Sequence, residues 1–596
     1  MKSRLLRFAP VFGALSMACA SATGSSSSPA DVSAGKPPWA DSVLASLTLR
    51  EKAAQLVWAF SLGDYVPDDS PAWRQVSSWI TKEHIGGLIV SVGSPLEVAG
   101  KINRMQALSK VPLIFSADYE TGAGMRVRGG YFLPNAIDLG GATVFPPEMA
   151  MGATGDPSLA YAQGRATAIE ARSLGVQIDF TPVLDVNNNP GNPVINTRSY
   201  GEDPQQVARF GEAMVRGLQD NGMIATGKHF PGHGDTETNS HLALPVVNVS
   251  RERLESVELV PFKAAVASGV GAIMSFHGVM PAFDSTGLPA TLSHSVMTGV
   301  LRGELGFNGL IISDAMDMKG GLIQFGLAGA VKRAIAAGLD VILQPSDVVQ
   351  AIDAIVAGVN EGAYTEARLN ESVLRVLRAK ERLGLGQNRL VNPAKIPAVV
   401  GDSSKLALAR LIAEKSMTLV RDSAKQIPLA PSAGLRVLSI TVASRTDLGA
   451  GSAFNAELRV RYPNLRTELI TTQDPGVNYD RVREAADSSD VTVVSSYVGQ
   501  VWDATNLNVS PGFASLINSM IDRGKSPVLV SFGNPYLLQQ LARVGTYLVA
   551  WGGSPVSQSA AAHALMGDAP ISGHLPISIP PYVTRGTGIQ LPARAH

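Results

Sequence analysis

The sequence predicts an α/β protein, with an N-terminal (β/α)8 TIM-type barrel followed by a C-terminal doubly wound α/β sandwich domain. Three observations carry that reading. Eight apolar, β-branched runs alternate with amphipathic stretches before residue 395. Four more runs alternate in the same way after it. Several of the first eight end in a polar or charged side chain, which is how a parallel barrel gathers chemistry at the carboxyl ends of its strands.

At 596 residues the chain exceeds one ordinary domain. Its 50 Lys+Arg balance 50 Asp+Glu, so it lacks the basic footprint of a nucleic-acid or anionic-membrane binder. The 59 Gly and 37 Pro are spread without a period, as suits a loop-rich chain of alternating strands and helices.

Residues 1–19 read as a signal peptide. Lys2, Arg4 and Arg7 form a basic start, and Phe8 to Ala18 is an apolar core too short to span a bilayer as a mature helix. Two processing routes fit. Ala18-Cys19-Ala20 suits a signal peptidase. Leu15 to Cys19 is similar to a bacterial lipobox that would make Cys19 a lipid anchor, and the Ser/Ala/Gly-rich residues 20–38 would then be a flexible tether. Export follows from either: a periplasmic or outer-membrane lipoprotein, alternatively a secreted protein. Cys19 is the only cysteine, so no intramolecular disulfide and no thiolate metal cluster is possible.

Residues 39–395 hold the eight runs: Leu56–Phe60, Gly87–Val92, Leu113–Asp118, Ile178–Leu184, Ile224–His229, Ala272–His277, Leu310–Asp314 and Val341–Pro345. A helix is expected over Asp347 to Val359, where Ile352, Ile355, Val356 and Val359 recur at helical spacing after a Ser346/Asp347 start signal. Periodicity does not prove closure, so an open doubly wound sheet is the alternative. Asp118, Asp185, Lys228/His229, His277 and Asp314 mark the strand ends. Any one of them is ordinarily a cap or a loop anchor; five in one chain point to a site.

The densest stretch runs from Lys228 to His241, with imidazoles, carboxylates and hydroxyls on a Gly/Pro-rich loop that follows a strand. Asp314 directly follows an apolar strand, where an acid is costly unless it is paired or working, so it is the candidate nucleophile. Asp317, like Asp314, could instead cap the next helix. Asp118 opens Asp118 to Arg126, whose glycines would let backbone approach a ligand; its ordinary role is to bond its own turn. Arg198 could bind hydroxyls or an anion, or pair with Glu202 or Asp203 at the surface. Lys228 and His229 are candidate ligand contacts. His241 is the candidate general acid/base, and Asn239 could accept from its second ring nitrogen.

The stretch Lys228-His-Phe-Pro-Gly-His-Gly-Asp-Thr236 followed by Ser240-His241 resembles the signature of glycoside hydrolase family 3, in its bacterial β-N-acetylglucosaminidase branch. Glu51 to Leu56, the Asp118 segment, Phe180 to Val186, Arg198 to Gly201, Ala290 to Ser293, Leu301 to Phe307 and Ser313 to Met316 match as well. The resemblance implies a retaining double displacement. Asp314 matches the nucleophile and His241 the acid/base, while Asp118, Arg198, Lys228 and His229 match residues that hold the sugar.

Two departures stand out. The family pattern reads Asp-Ser-His where this chain has Asn239-Ser240-His241. Asn can accept from imidazole through its amide oxygen, but it carries no charge for an imidazolium, and its NH2 would favour the other tautomer. Three outcomes are open: weakened activity, compensation by a nearby group such as Asp235 or Glu237, or a chain that has become a binder. The family's Glu-Gly-Gly-Arg is here Glu120-Thr-Gly-Ala-Gly-Met-Arg126.

Residues 396–596 follow a break at Pro393, Pro397 and Gly401. Arg436–Thr441, Val491–Ser496, Pro527–Phe532 and Thr546–Trp551 are the expected strands, and none precedes a Gly-x-Gly-x-x-Gly nucleotide loop. Ala560 to Pro576 resembles the closing segment of the family's second domain. The leading expectation is an exported β-N-acetylhexosaminidase acting on small carbohydrates, peptidoglycan-derived or chitin-derived, without metal or cofactor. The alternatives are another exo-β-glycosidase such as a β-glucosidase, a glycoside phosphorylase, and a catalytically weak sugar-binding lipoprotein.

Overall fold

The computed structural model describes residues 38–129, 140–472, 476–499 and 505–594. The expected signal peptide and nearly all of the tether, Cys19 included, lie outside the described residues.

All eight runs form strands: β1 Val57–Leu62, β2 Gly87–Ser91, β3 Ile114–Ala117, β4 Ile178–Asp179, β5 Ile224–Phe230, β6 Ala272–Ser275, β7 Leu310–Ile312 and β8 Ile342–Leu343. They pair in parallel in the order β7-β6-β5-β4-β3-β2-β1-β8. β8 returns to β1 through Val57–Ile342 and Trp58–Leu343. The remaining gap is crossed by a parallel bridge between Ile312 and Val341 and by the Ser313 N–H, which donates to the Val341 carbonyl at 3.0 Å. The open-sheet alternative is thereby excluded.

Burial on both faces explains why the runs are continuously apolar: every residue of β3, β5, β6 and β7 is buried. β4 is shorter than its apolar run because Pro182 has no N–H to donate, although Val183 still bridges to Lys228. The expected helix forms over Val348–Asn360. The Asp347 carboxylate caps it by accepting the Gln350 N–H at 3.0 Å, and Ile352 and Ile355 are buried. Ahead of β8, fully buried Asp340 accepts from Arg302 Nη2 (2.5 Å), Arg375 Nη1 (3.1 Å), Ser372 Oγ (2.5 Å) and the Ile311 N–H (3.0 Å).

The second sheet has six strands: β9 Thr418–Asp422, β10 Val437–Ala443, β11 Arg466–Thr471, β12 Val491–Ser496, β13 Val528–Ser531 and β14 Thr546–Val549. Their order is β11-β10-β12-β13-β14-β9, parallel except for β9, which runs antiparallel to β14. The doubly wound α/β sheet therefore carries an antiparallel edge, and β9 and β11 are additions to the four strands expected.

The two sheets meet at the loop that follows β4. Asn187 Nδ2 donates to Tyr536 Oη at 2.7 Å. The Glu202 carboxylate accepts from the Ser578 N–H and hydroxyl, each at 2.7 Å, and the Glu202 N–H donates to the Pro576 carbonyl at 3.0 Å. Asp203 pairs with Arg585.

Candidate active site

Strands β3 and β5 and the long loop after β4 bring four charged groups into one largely buried cluster. Lys228, 1% exposed, places Nζ 2.9 Å from Asp118 Oδ1 and 2.6 Å from Glu120 Oε1. Arg198 grips the same Glu120 with two bonds, Nε to Oε2 at 2.9 Å and Nη2 to Oε1 at 2.6 Å. Burial alone would raise Glu120, but Arg198 and Lys228 hold its carboxyl well below the usual range. Glu120 is thus ionised, and it keeps Arg198 and Lys228, with Asp118 bonded to Lys228, in fixed positions relative to one another.

These contacts correct two expectations. Arg198 does not pair with Glu202 or Asp203, because both are taken up by the second domain. Nor do the glycines after Asp118 leave room for a ligand: a Cβ on Gly124 would lie 2.2 Å from the Ala142 carbonyl oxygen, so this segment packs on protein. The Asp118 carboxylate bonds Lys228 and lies 3.6 Å from Arg126, rather than closing its own turn.

His229, next to last in β5, has its Nδ1 2.7 Å from Asp185 Oδ2. Asp185 is fully buried and also accepts the N–H groups of His229 (3.2 Å) and His233 (2.6 Å). Desolvation opposes its charge, but His229 and the hydrogen bonds keep it below the ordinary carboxylate range. The sequence marked Asp185 only as a strand end; its use is to orient His229.

Asp314 follows β7, and its Oδ1 accepts the Ala315 N–H at 2.8 Å. Burial pushes its carboxyl up, and His229, His277 and that N–H more than offset it, leaving an anion. His277, at the end of β6, sits with Nδ1 2.7 Å from Thr291 Oγ1 and Nε2 3.2 Å from the Ala315 carbonyl. Asp317 caps no helix. Its Oδ2 accepts from Gln344 Nε2 at 2.9 Å, and Gln344 adopts a left-handed backbone at φ 48°.

His241 lies on the long loop after β5. Asn239 Oδ1 is 2.9 Å from both the backbone nitrogen and Nδ1 of His241. A backbone N–H can only donate, so the shared Asn239 atom is the amide oxygen. Nδ1 therefore carries the proton, and Nε2 keeps its lone pair. The competing tautomer raised by the Asn is excluded. Burial lowers the His241 pKa; Asp314 and Asp317 oppose that, whereas Arg198 and His229 add to it. The Asp317 segment reaches this loop directly, since a Cβ on Gly320 would lie 2.3 Å from the Ser240 carbonyl oxygen. Asp235 and Glu237 are placed elsewhere: Asp235 is 3.7 Å from Arg253 Nη2, and Glu237 lies against Gly191. Neither supplies the charge that Asn239 lacks.

An anionic carboxylate, an imidazole of defined tautomer and a fixed polar cluster share one barrel rim. That set can attack a carbon centre, exchange a proton with its leaving oxygen and bind hydroxyls.

Comparison with known proteins agrees with this geometry. Residues 48–379 match the glycosyl hydrolase family 3 N terminal domain, and residues 331–593 match the corresponding C-terminal domain. A beta-N-acetylglucosaminidase/beta-glucosidase of Cellulomonas fimi is 31% identical over 567 residues, which is 90% of this chain and 95% of that protein. Beta-hexosaminidase A of Pseudoalteromonas piscicida is 28% identical over 562 residues, covering 85% and 91%. Among solved structures, a family 3 beta-N-acetylglucosaminidase from Paenibacillus sp. str. FPU-7 superposes with a TM-score of 0.78 at 34% identity, covering 89% of this chain and 99% of that one. A beta-glucoside phosphorylase superposes with a TM-score of 0.77 at 25% identity, covering 91% and 95%. The chain belongs to glycosyl hydrolase family 3.

Proposed function

We propose that this protein is a retaining, exo-acting β-N-acetylglucosaminidase. The observation that carries the mechanism is the Asn239-fixed tautomer of His241 on the same rim as anionic Asp314. Asp314 attacks the anomeric carbon. The imidazolium form of His241 gives its Nε2 proton to the departing glycosidic oxygen, and the C–O bond breaks. Neutral His241, its Nδ1–H still held by Asn239, then takes a proton from water through Nε2. The hydroxide so formed displaces Asp314 from the anomeric carbon and completes hydrolysis with net retention. Asp118, Arg198, Lys228 and His229 bind the sugar hydroxyls. The N-acetyl sugar rests on the relatives from Cellulomonas, Pseudoalteromonas and Paenibacillus, and peptidoglycan-derived or chitin-derived oligosaccharides are the substrate class that supplies it. The protein works outside the cytoplasm. Export rests on residues 1–19, and incorporation of labelled fatty acid, abolished by Cys19→Ala, distinguishes the anchored form from the secreted one.

Hydrolysis of 4-nitrophenyl β-N-acetylglucosaminide tests the reading. Wild type releases nitrophenol with the β-anomer as first product, and Asp314→Asn lowers turnover by roughly 10³-fold or more. Undiminished turnover in Asp314→Asn, or first appearance of the α-anomer, overturns it. A second reading is favoured by Asn239: an acid/base pair without a carboxylate does not repel an incoming anion. If inorganic phosphate replaces water, the product is the sugar 1-phosphate and turnover rises several-fold with phosphate. Absence of that product leaves hydrolysis alone.

A further inference from the structure

One buried imidazole takes no part in the chemistry proposed above. His233 is 1% exposed and its ring packs on Phe276 with centroids 4.3 Å apart. Its Nδ1 lies 2.9 Å from Thr236 Oγ1, and its Nε2 lies 3.1 Å from Oγ of Ser240, the residue before His241. Burial pulls its pKa down to about 3, so the ring is neutral. A neutral imidazole has one donor and one acceptor, and a hydroxyl can serve as either, so both ring nitrogens are satisfied in either tautomer.

The backbone of the same residue is tied to the sugar side of the site. The His233 N–H donates to Asp185 Oδ1 at 2.6 Å, on the carboxylate whose Oδ2 meets His229 Nδ1. Asn192 braces the turn from outside. Its Nδ2 donates to the carbonyls of His233 (2.8 Å) and Gly234 (2.9 Å), and its Oδ1 accepts the N–H groups of Val194 and Ile195 ahead of Arg198.

We propose that His233 is a positioning residue: its bond to Ser240 holds the loop that carries His241, and its bond to Asp185 keeps that loop in register with His229. The inference rests on the acid/base role of His241 proposed above. From Pro231 to Ser250 the loop has no helix or strand of its own, so its position depends on side-chain bonds such as this one. Proton transfer to a leaving oxygen tolerates little misplacement, about 1 Å costing on the order of 10²-fold. Asp314 is held by other contacts, so a loosened loop weakens protonation and spares the attack.

That asymmetry supplies the test. The measured quantity is kcat/KM for phenyl β-N-acetylglucosaminide, whose leaving group needs a proton, and for the 2,4-dinitrophenyl glycoside, whose leaving group does not. Ser240→Ala removes one oxygen, and His233→Asn keeps a group near Thr236 but cannot reach Ser240. Both are expected to slow the phenyl substrate by roughly 10–100-fold and the dinitrophenyl substrate by less than about 3-fold. His233→Gln, which places an amide where Nε2 was, should recover most of the loss. Equal slowing of both substrates, or slowing of neither, overturns the clasp. His241→Ala is the control on the underlying reading: if it too lacks leaving-group dependence, the acid/base assignment falls and takes this inference with it. If it shows that dependence and Ser240→Ala does not, only the clasp falls.

Discussion

One oxygen of Asn239 serves two hydrogens of His241: Oδ1 lies 2.9 Å from the backbone nitrogen and 2.9 Å from Nδ1. The amide thus does the orienting work of a carboxylate without its charge. Burial then lowers the His241 pKa, so on the proposed mechanism the imidazolium that protonates the leaving group is favoured toward the acidic side.

Asn239→Asp should add the missing charge without moving the ring. The basic limb of kcat/KM for a phenyl glycoside shifts to higher pH, with a gain of roughly 10-fold above neutrality. The dinitrophenyl glycoside changes little. A basic limb that stays in place would mean that another group titrates there.

Asp317 is the anion left facing His241 beside Asp314. Asp317→Asn removes it, and the His241 ring should titrate at lower pH in an NMR titration of labelled imidazole. The shift should shrink in an Asn239→Asp background, where a nearer carboxylate dominates. Equal shifts in both backgrounds would show that the two anions act independently.

Glu120 neutralises buried Lys228 and half-buried Arg198. Glu120→Gln leaves buried Lys228 and half-buried Arg198 with less than their complement of negative charge. We expect a loss of about 3–5 kcal/mol in urea unfolding, as for other broken buried pairs. An unchanged midpoint would mean that the cations have found other partners.

Lys380 is fully buried and donates from Nζ to Gln55 Oε1 at 2.6 Å, and burial pulls its pKa down to about 7. The unfolded chain holds this proton up to about pH 10.4. Between the two values the unfolded state binds more protons, so this group makes stability rise with pH across that window. Below it, folding buries the charge. Lys380→Met should therefore gain most on wild type near pH 6, and its advantage should fade by pH 10. A parallel pair of Tm-versus-pH curves would refute this.

The barrel was legible because its strands are buried on both faces and read as unbroken apolar runs. β11 was not: it is an edge strand whose Arg466, Thr467 and Leu469 face solvent, so no apolar run marks it. β9 closes the other edge antiparallel, and a strand that reverses direction breaks the alternation the eye follows. Asp314 and His241 were legible from motif and position. Their surroundings were less so. Arg198 and Glu120 are 78 residues apart, and no local pattern announces that pair. Asp235 and Glu237, near His241 in sequence, turn away in space, whereas Asp317 arrives from another strand. His233 stood in plain view within the motif, and only its distances to Ser240 and Asp185 separate its use from that of its neighbours.

The bonds from Glu202 to Ser578 and from Tyr536 to Asn187 also set an order of events during synthesis. The loop that carries Arg198 is gripped by a residue translated 376 positions later. A ribosome that has finished the barrel has therefore not yet made the groups that brace this loop from the second domain. Until that later stretch is made and docked, the nascent chain holds Arg198 through bonds made within the barrel, to Glu120 and to the Val194 carbonyl.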